Sequence, residues 1–137
     1  MSARTKARKR ALDILYAADL RNEDVIALLS LEAQRALDEP ERQASWDYAQ
    51  AIVEGVVTHS VEIDEVIQTY SRGWSLERMP SIDRAILRIA VWEIMFNPEV
   101  PAIVAVNEAV DSAKMYSTEE SSNFVNGLLA SIAATSN

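Results

Sequence analysis

The 137-residue chain contains no cysteine, a single histidine, three glycines and four prolines. Without Cys there is no disulfide framework, no thiolate metal site and no Cys nucleophile, and a reducing compartment is permitted. The lone His59 removes most other catalytic and metal designs, because zinc sites without Cys normally use two or three His. So few Gly and Pro leave little material for tight turns, which disfavours an all-β sandwich. No apolar run approaches the roughly 20 residues of a membrane-spanning helix. The N-terminus also lacks the apolar stretch of a secretory signal, so a cytoplasmic protein without a membrane partner is expected. Phosphate-binding loops of the G-x-x-x-x-G-K-S/T or G-x-G-x-x-G type cannot be assembled from Gly55, Gly73 and Gly127. His59 with Glu62 offers too few ligands for a metal and reads as a helix-surface pair. The expectation is a protein that is not an enzyme and carries neither cofactor nor metal.

What the chain does have is ordinary globular composition, 49% hydrophobic and 25% charged, and a lopsided charge distribution. The net charge is −8, yet residues 1–10 hold Arg4, Lys6, Arg8, Lys9 and Arg10 with no acid. That is a local +5, followed by 8 bases and 21 acids over residues 11–137, a local −13. So acidic a body repels a phosphate backbone through its long-range field. Nucleic acid would therefore have to engage the basic end, within a Debye length of about 8–10 Å. The competing reading of such an arm is a solubilising tail.

Helical periodicity dominates. Ala7, Ala11, Ile14, Leu15 and Ala18 form one stripe, which carries the basic cluster into the first turns of a helix. Asn22 offers a start for a second helix, with Glu23 and Asp24 in its first turn and Val25, Leu28, Leu29 and Ala33 along its face. A long third segment covers residues 41–70, within which a break near 58–60 would be unsurprising. Residues 73–80 read as a connector, which places a subdomain boundary near 71–80. Residues 82–96 are apolar nearly all round, the mark of a central helix. Pro101 suits the start of the next helix, which buries Val106, Ala109, Val110 and Ala113. Ser117 and Glu120 have the spacing of a capping box ahead of a last helix built on Val125, Leu128, Leu129 and Ile132. The fold class expected over residues 1–137 is all-α, six or seven helices in two small helical-bundle subdomains.

Two stretches are more specific than generic helix. One is Asp83-Arg84-Ala85-Ile86-Leu87-Arg88-Ile89-Ala90-Val91-Trp92-Glu93, where Arg88 and Glu93 need partners because an unpaired buried charge costs several kcal/mol. The other joins Val106-Asn107-Glu108-Ala109-Val110 to Phe124-Val125-Asn126-Gly127, where Gly127 suggests a closely approaching backbone. With the basic Ala7–Leu12 segment and Leu15-Tyr16, these stretches resemble the NusB family of bacterial transcription antitermination factors. The match spans nearly the whole chain and is weak over residues 22–46.

The resemblance implies a two-subdomain helical protein that binds the boxA element of ribosomal RNA leader transcripts. It would do so with NusE, a small-subunit ribosomal protein, and support processive transcription in an RNA polymerase elongation complex with other Nus factors. It also implies RNA contacts from Arg4, Lys6, Arg8, Lys9 and Arg10, with Tyr16 and Phe124 as aromatics beside them. Lys9, Asp13 and Tyr16 share a helix face off the centre of the apolar stripe, and single-stranded RNA is commonly held by stacking beside phosphate contacts. The same aromatics suit an ordinary core edge. The alternative function is a helical protein-interaction scaffold, or a homodimer, without intrinsic RNA binding.

Overall fold

The computed structural model describes residues 2–135, which form seven α-helices and, among those residues, no strand. The chain divides between Thr58 and His59 into two compact units.

The first unit holds α1 (Ala3–Arg21), α2 (Val25–Ala36), a 3-10 turn (Pro40–Arg42) and α3 (Gln43–Thr58). Helix α1 begins at Ala3 because Ser2 caps it, its Oγ accepting from the Thr5 N–H at 3.1 Å. Asn22 closes α1 instead of opening α2. It adopts the left-handed conformation (φ 54°, ψ 44°), with its own N–H and that of Glu23 donated to the Ala18 carbonyl. The cap of α2 is Asp24, whose Oδ1 accepts from the Ile26 N–H at 3.0 Å. Helix α1 packs mainly on α3. Ala7, Ala11, Ile14, Leu15 and Ala18 are all buried there, as are Trp46, Ala49, Ile52, Val53 and Val56. Helix α2 is held more lightly: of its expected face only Leu29 is buried, joined by Ala36, while Ile26, Leu31 and the flanking Leu37 are exposed.

The second unit contains α4 (Ser60–Tyr70), a 3-10 turn (Leu76–Arg78), α5 (Ser81–Phe96), α6 (Ala102–Tyr116) and α7 (Glu119–Thr135). Helix α5 is central, touching α4, α6 and α7. The unit boundary thus lies upstream of residues 71–80, where the sequence placed it. The reason is α4, whose fully buried Ile63 and Ile67 belong to the second core, so 71–80 is a corner inside that unit.

That corner is pinned. Arg84 Nη1 donates to the carbonyls of Leu76 and Met79, each at 2.9 Å, and the Gln68 side chain accepts from the Leu76 N–H. Arg88 makes a two-point contact with Asp64 of α4, at 2.9 and 3.2 Å. Asp83, 1% exposed, accepts from the hydroxyls of Ser117 and Ser121, both at 2.7 Å. Ser117 is therefore not the cap of α7. Thr118 is, its Oγ1 accepting from the Ser121 N–H at 3.0 Å. Gly127 also differs from expectation: it is exposed, and nothing lies within 4 Å of where a Cβ would stand. His59 pairs with Glu62 at 3.3 Å, as its spacing suggested, and stacks on Phe96 at 3.8 Å.

Candidate nucleic-acid interface

The five basic residues of the N-terminal segment stand on regular helix, and the fold uses them unequally. Arg4 lies 4.8 Å over the Tyr48 ring. Arg8, on the same ring at 5.9 Å, is only 7% exposed. Arg10 lies 4.7 Å over Trp46 and donates from Nε to Ser45 Oγ at 3.1 Å. These cation–π contacts tie the basic face of α1 to the aromatics of α3. Lys6 is exposed, and Lys9 pairs with Asp13 one turn on.

No acid stands in the first turn of α1, so Arg4 and Lys6 add to the positive end of the helix dipole where carboxylates would ordinarily sit. An open recess of about 380 Å³ is lined by Lys6, Lys9, Arg10 and Arg42. Arg42 is the member that sequence reasoning missed. It lies in the 3-10 turn, outside the basic cluster, exposed and paired with Glu39 at 3.0 Å. Its sequence neighbours, Glu39, Glu41 and Asp38, disguise it as part of an acidic stretch. Four cations around one open concavity suit a polyanion, since each can offer N–H donors to phosphate oxygens.

The two aromatics fall in different units. Tyr16 is half-buried on α1 of the first. Phe124 is half-buried on α7 of the second, its ring meeting Trp74 edge to face at 5.1 Å and 76°. Trp74, 44% exposed, is a second residue that sequence reasoning did not single out. The corner that holds it, with Gly73 as its one glycine, carries no helical stripe that would have marked the ring. Among the described residues no group of three or more His, Asp or Glu is placed to hold a metal ion, and no helix is long and apolar enough to cross a membrane.

Fold and site together define the class: an all-α protein of two helical units with a cationic recess on its first helix. The chain belongs to the NusB family, whose model matches residues 5–134. It is 64% identical over 135 residues to the transcription antitermination protein NusB of Clavibacter michiganensis subsp. michiganensis, covering 98% of each chain. It is 59% identical to the protein of that name from Leifsonia xyli subsp. xyli, covering 97% of this chain and 92% of the other. Among solved structures it resembles T. maritima NusB (34% identity, TM-score 0.83, 96% and 90% of the chains covered). It also resembles a chain from a crystal structure of antitermination factors NusB and NusE in complex with dsRNA (30% identity, TM-score 0.83, 98% of each covered). The family is one of transcription antitermination proteins and not of enzymes.

Proposed function

We propose that this protein is a cytoplasmic RNA-binding antitermination factor that engages the boxA element of ribosomal RNA leader transcripts together with NusE. On this reading it acts within an RNA polymerase elongation complex alongside other Nus factors. The observation that carries it is the cationic recess of Lys6, Lys9, Arg10 and Arg42. The solved NusB–NusE–dsRNA assembly, whose fold this chain shares, supports RNA and NusE as partners. Arg4, Lys6, Lys9 and Arg10 supply phosphate contacts, and Tyr16 on the first unit and Phe124 on the second each offer a ring to a base. Arg8 is assigned a supporting part: with its guanidinium over Tyr48 and its side chain buried, it braces the helix that presents the other four.

Titration of boxA-like RNA at several salt concentrations, with and without NusE, tests this. For single strands log affinity falls with log salt at a slope of about −0.7 per phosphate neutralised. Replacing Lys6, Lys9 and Arg42 by Gln should flatten that slope by about two units while leaving the thermal melt in place. An unchanged slope places the RNA elsewhere. One observation favours the second reading, a protein-interaction scaffold: three of the five arm cations are already engaged by α3 aromatics. The scaffold predicts no salt-dependent RNA binding at all.

A further inference from the structure

Trp74 stands out against the other two tryptophans of the chain. Trp46 and Trp92 are 8% and 9% exposed, ordinary core residues, whereas Trp74 presents 44% of its surface from the α4–α5 corner. The corner is built to do this. Arg72 and Gly73 take left-handed conformations in succession (φ 53° and 91°), turning the chain back at once after α4. For Arg72 that region is unfavourable by roughly 1–2 kcal/mol, so the surrounding structure must hold it. It does so closely: the buried Ser71 donates its hydroxyl to the Trp74 carbonyl at 2.6 Å, and the Trp74 N–H returns to the Ser71 carbonyl. Gln68 and Arg84 fix the following residues.

A strained, fully tied turn that ends in a half-exposed indole is not the work of hydrophobic burial, which would have drawn the ring inward. The edge-to-face contact with Phe124 fixes the indole from one side, and neither ring spends its face on parallel stacking with the other. Every nucleobase has a π face, and a rigid exposed aromatic is the sequence-tolerant means of holding one.

We propose that Trp74 is a base-stacking residue, its indole braced edge to face by Phe124 as a rigid platform for an unpaired nucleobase of bound RNA. The inference rests on the RNA-binding function above and adds to it a residue and a contact of a different kind. The platform contributes through stacking and not through charge, so its loss leaves the salt slope as it is. It acts on unpaired bases, so a duplex does not engage it.

The test uses the full chain with a short single-stranded boxA-like RNA oligonucleotide, and the same strand annealed to its complement. Trp74 is the exposed fluorophore of the three, so the single strand should quench the intrinsic emission of the unmodified protein and the duplex should not. Trp74→Ala should weaken single-strand binding by about 5- to 150-fold, the worth of one stacked base, at an unchanged salt slope. Trp74→Phe should keep most of the affinity and lose the quenching. Absence of quenching by a bound single strand, or equal quenching by the duplex, overturns the proposal whether or not the Ala variant folds. If the single strand binds with a steep salt slope and Trp74→Ala changes nothing, the platform fails and the RNA-binding function stands. If the unmodified protein binds no RNA, the RNA-binding function fails first.

Discussion

Asp83 shows how much of this fold depends on single polar contacts. It sits on α5 with 1% of its surface exposed and takes one hydroxyl hydrogen bond on each oxygen, one from Ser117 just ahead of α7 and one from Ser121 in its first turn. A charge-assisted bond of this kind is worth about 1.5–3 kcal/mol, and a buried acceptor left unpaired costs as much again. Asp83→Ala should therefore lower stability by about 3 kcal/mol, whereas Ser117→Ala, which leaves the Ser121 bond in place, should lose about half of that. Urea denaturation of the two variants checks the ranking; equal losses would show that the clamp acts only as a pair. At this scale the sequence was least legible. Ser117 precedes an acidic residue at capping distance, and nothing local says that a carboxylate 34 residues earlier claims its hydroxyl. Asn22 was ambiguous for a related reason: Asn serves both as a helix opener and as a left-handed closer, and Asp24 two positions on resolves it only when the fold is seen.

Helices themselves were far more legible, because a 3.6-residue stripe is repeated several times along each one and errors at single positions average out. The apolar surround of α5 was correctly a sign of packing on several sides, here against α4, α6 and α7. The single long segment over 41–70 is divided at His59, inside the 58–60 window that its pattern left open. The unit boundary was misplaced because turn-forming residues mark where the chain bends, and contacts mark where a unit ends. Helix α7 carries its own prediction. Val125 is fully buried and Phe124 only half so, one residue apart on the same helix. Val125→Ala should cost about 1–3 kcal/mol of stability. Phe124→Ala should lose RNA affinity before stability. Thermal melts beside RNA titrations decide it, and a Phe124→Ala variant that melts like Val125→Ala would make that ring a core residue. The candidate RNA-contacting set was legible only in part, since Arg42 and Trp74 are placed by a 3-10 turn and a strained corner that no periodicity announces.

On the scale of the whole molecule the charge is partitioned. Residues 1–58 carry 8 Lys and Arg against 10 Asp and Glu; residues 59–137 carry 5 against 11. Ribosomal proteins are basic as a class, and complementary fields steer association. NusE should accordingly bind the acidic body and be indifferent to the arm. Deleting residues 1–10 would be a poor test, because Ala7 is fully buried and Arg4, Arg8 and Arg10 lie over α3 aromatics. Lys6→Gln with Lys9→Gln is the cleaner variant: calorimetry should show NusE affinity within a few fold of the unmodified protein while RNA binding drops. Loss of NusE binding in this variant would move the protein partner onto the arm.

Helix α1 has one side sealed into the core at Ala7 and Ala11 and a positive end crowded with cations. Mutual repulsion there works against the folded helix, and an arriving phosphate removes it. On the RNA-binding function proposed above, RNA would be a folding ligand for the first unit: at a hundred times its dissociation constant a ligand adds about 2.7 kcal/mol to the stability of whatever structure it requires. Amides of α1 would then exchange with solvent more slowly the more RNA is bound, so that transcript concentration is read out as the lifetime of a helix.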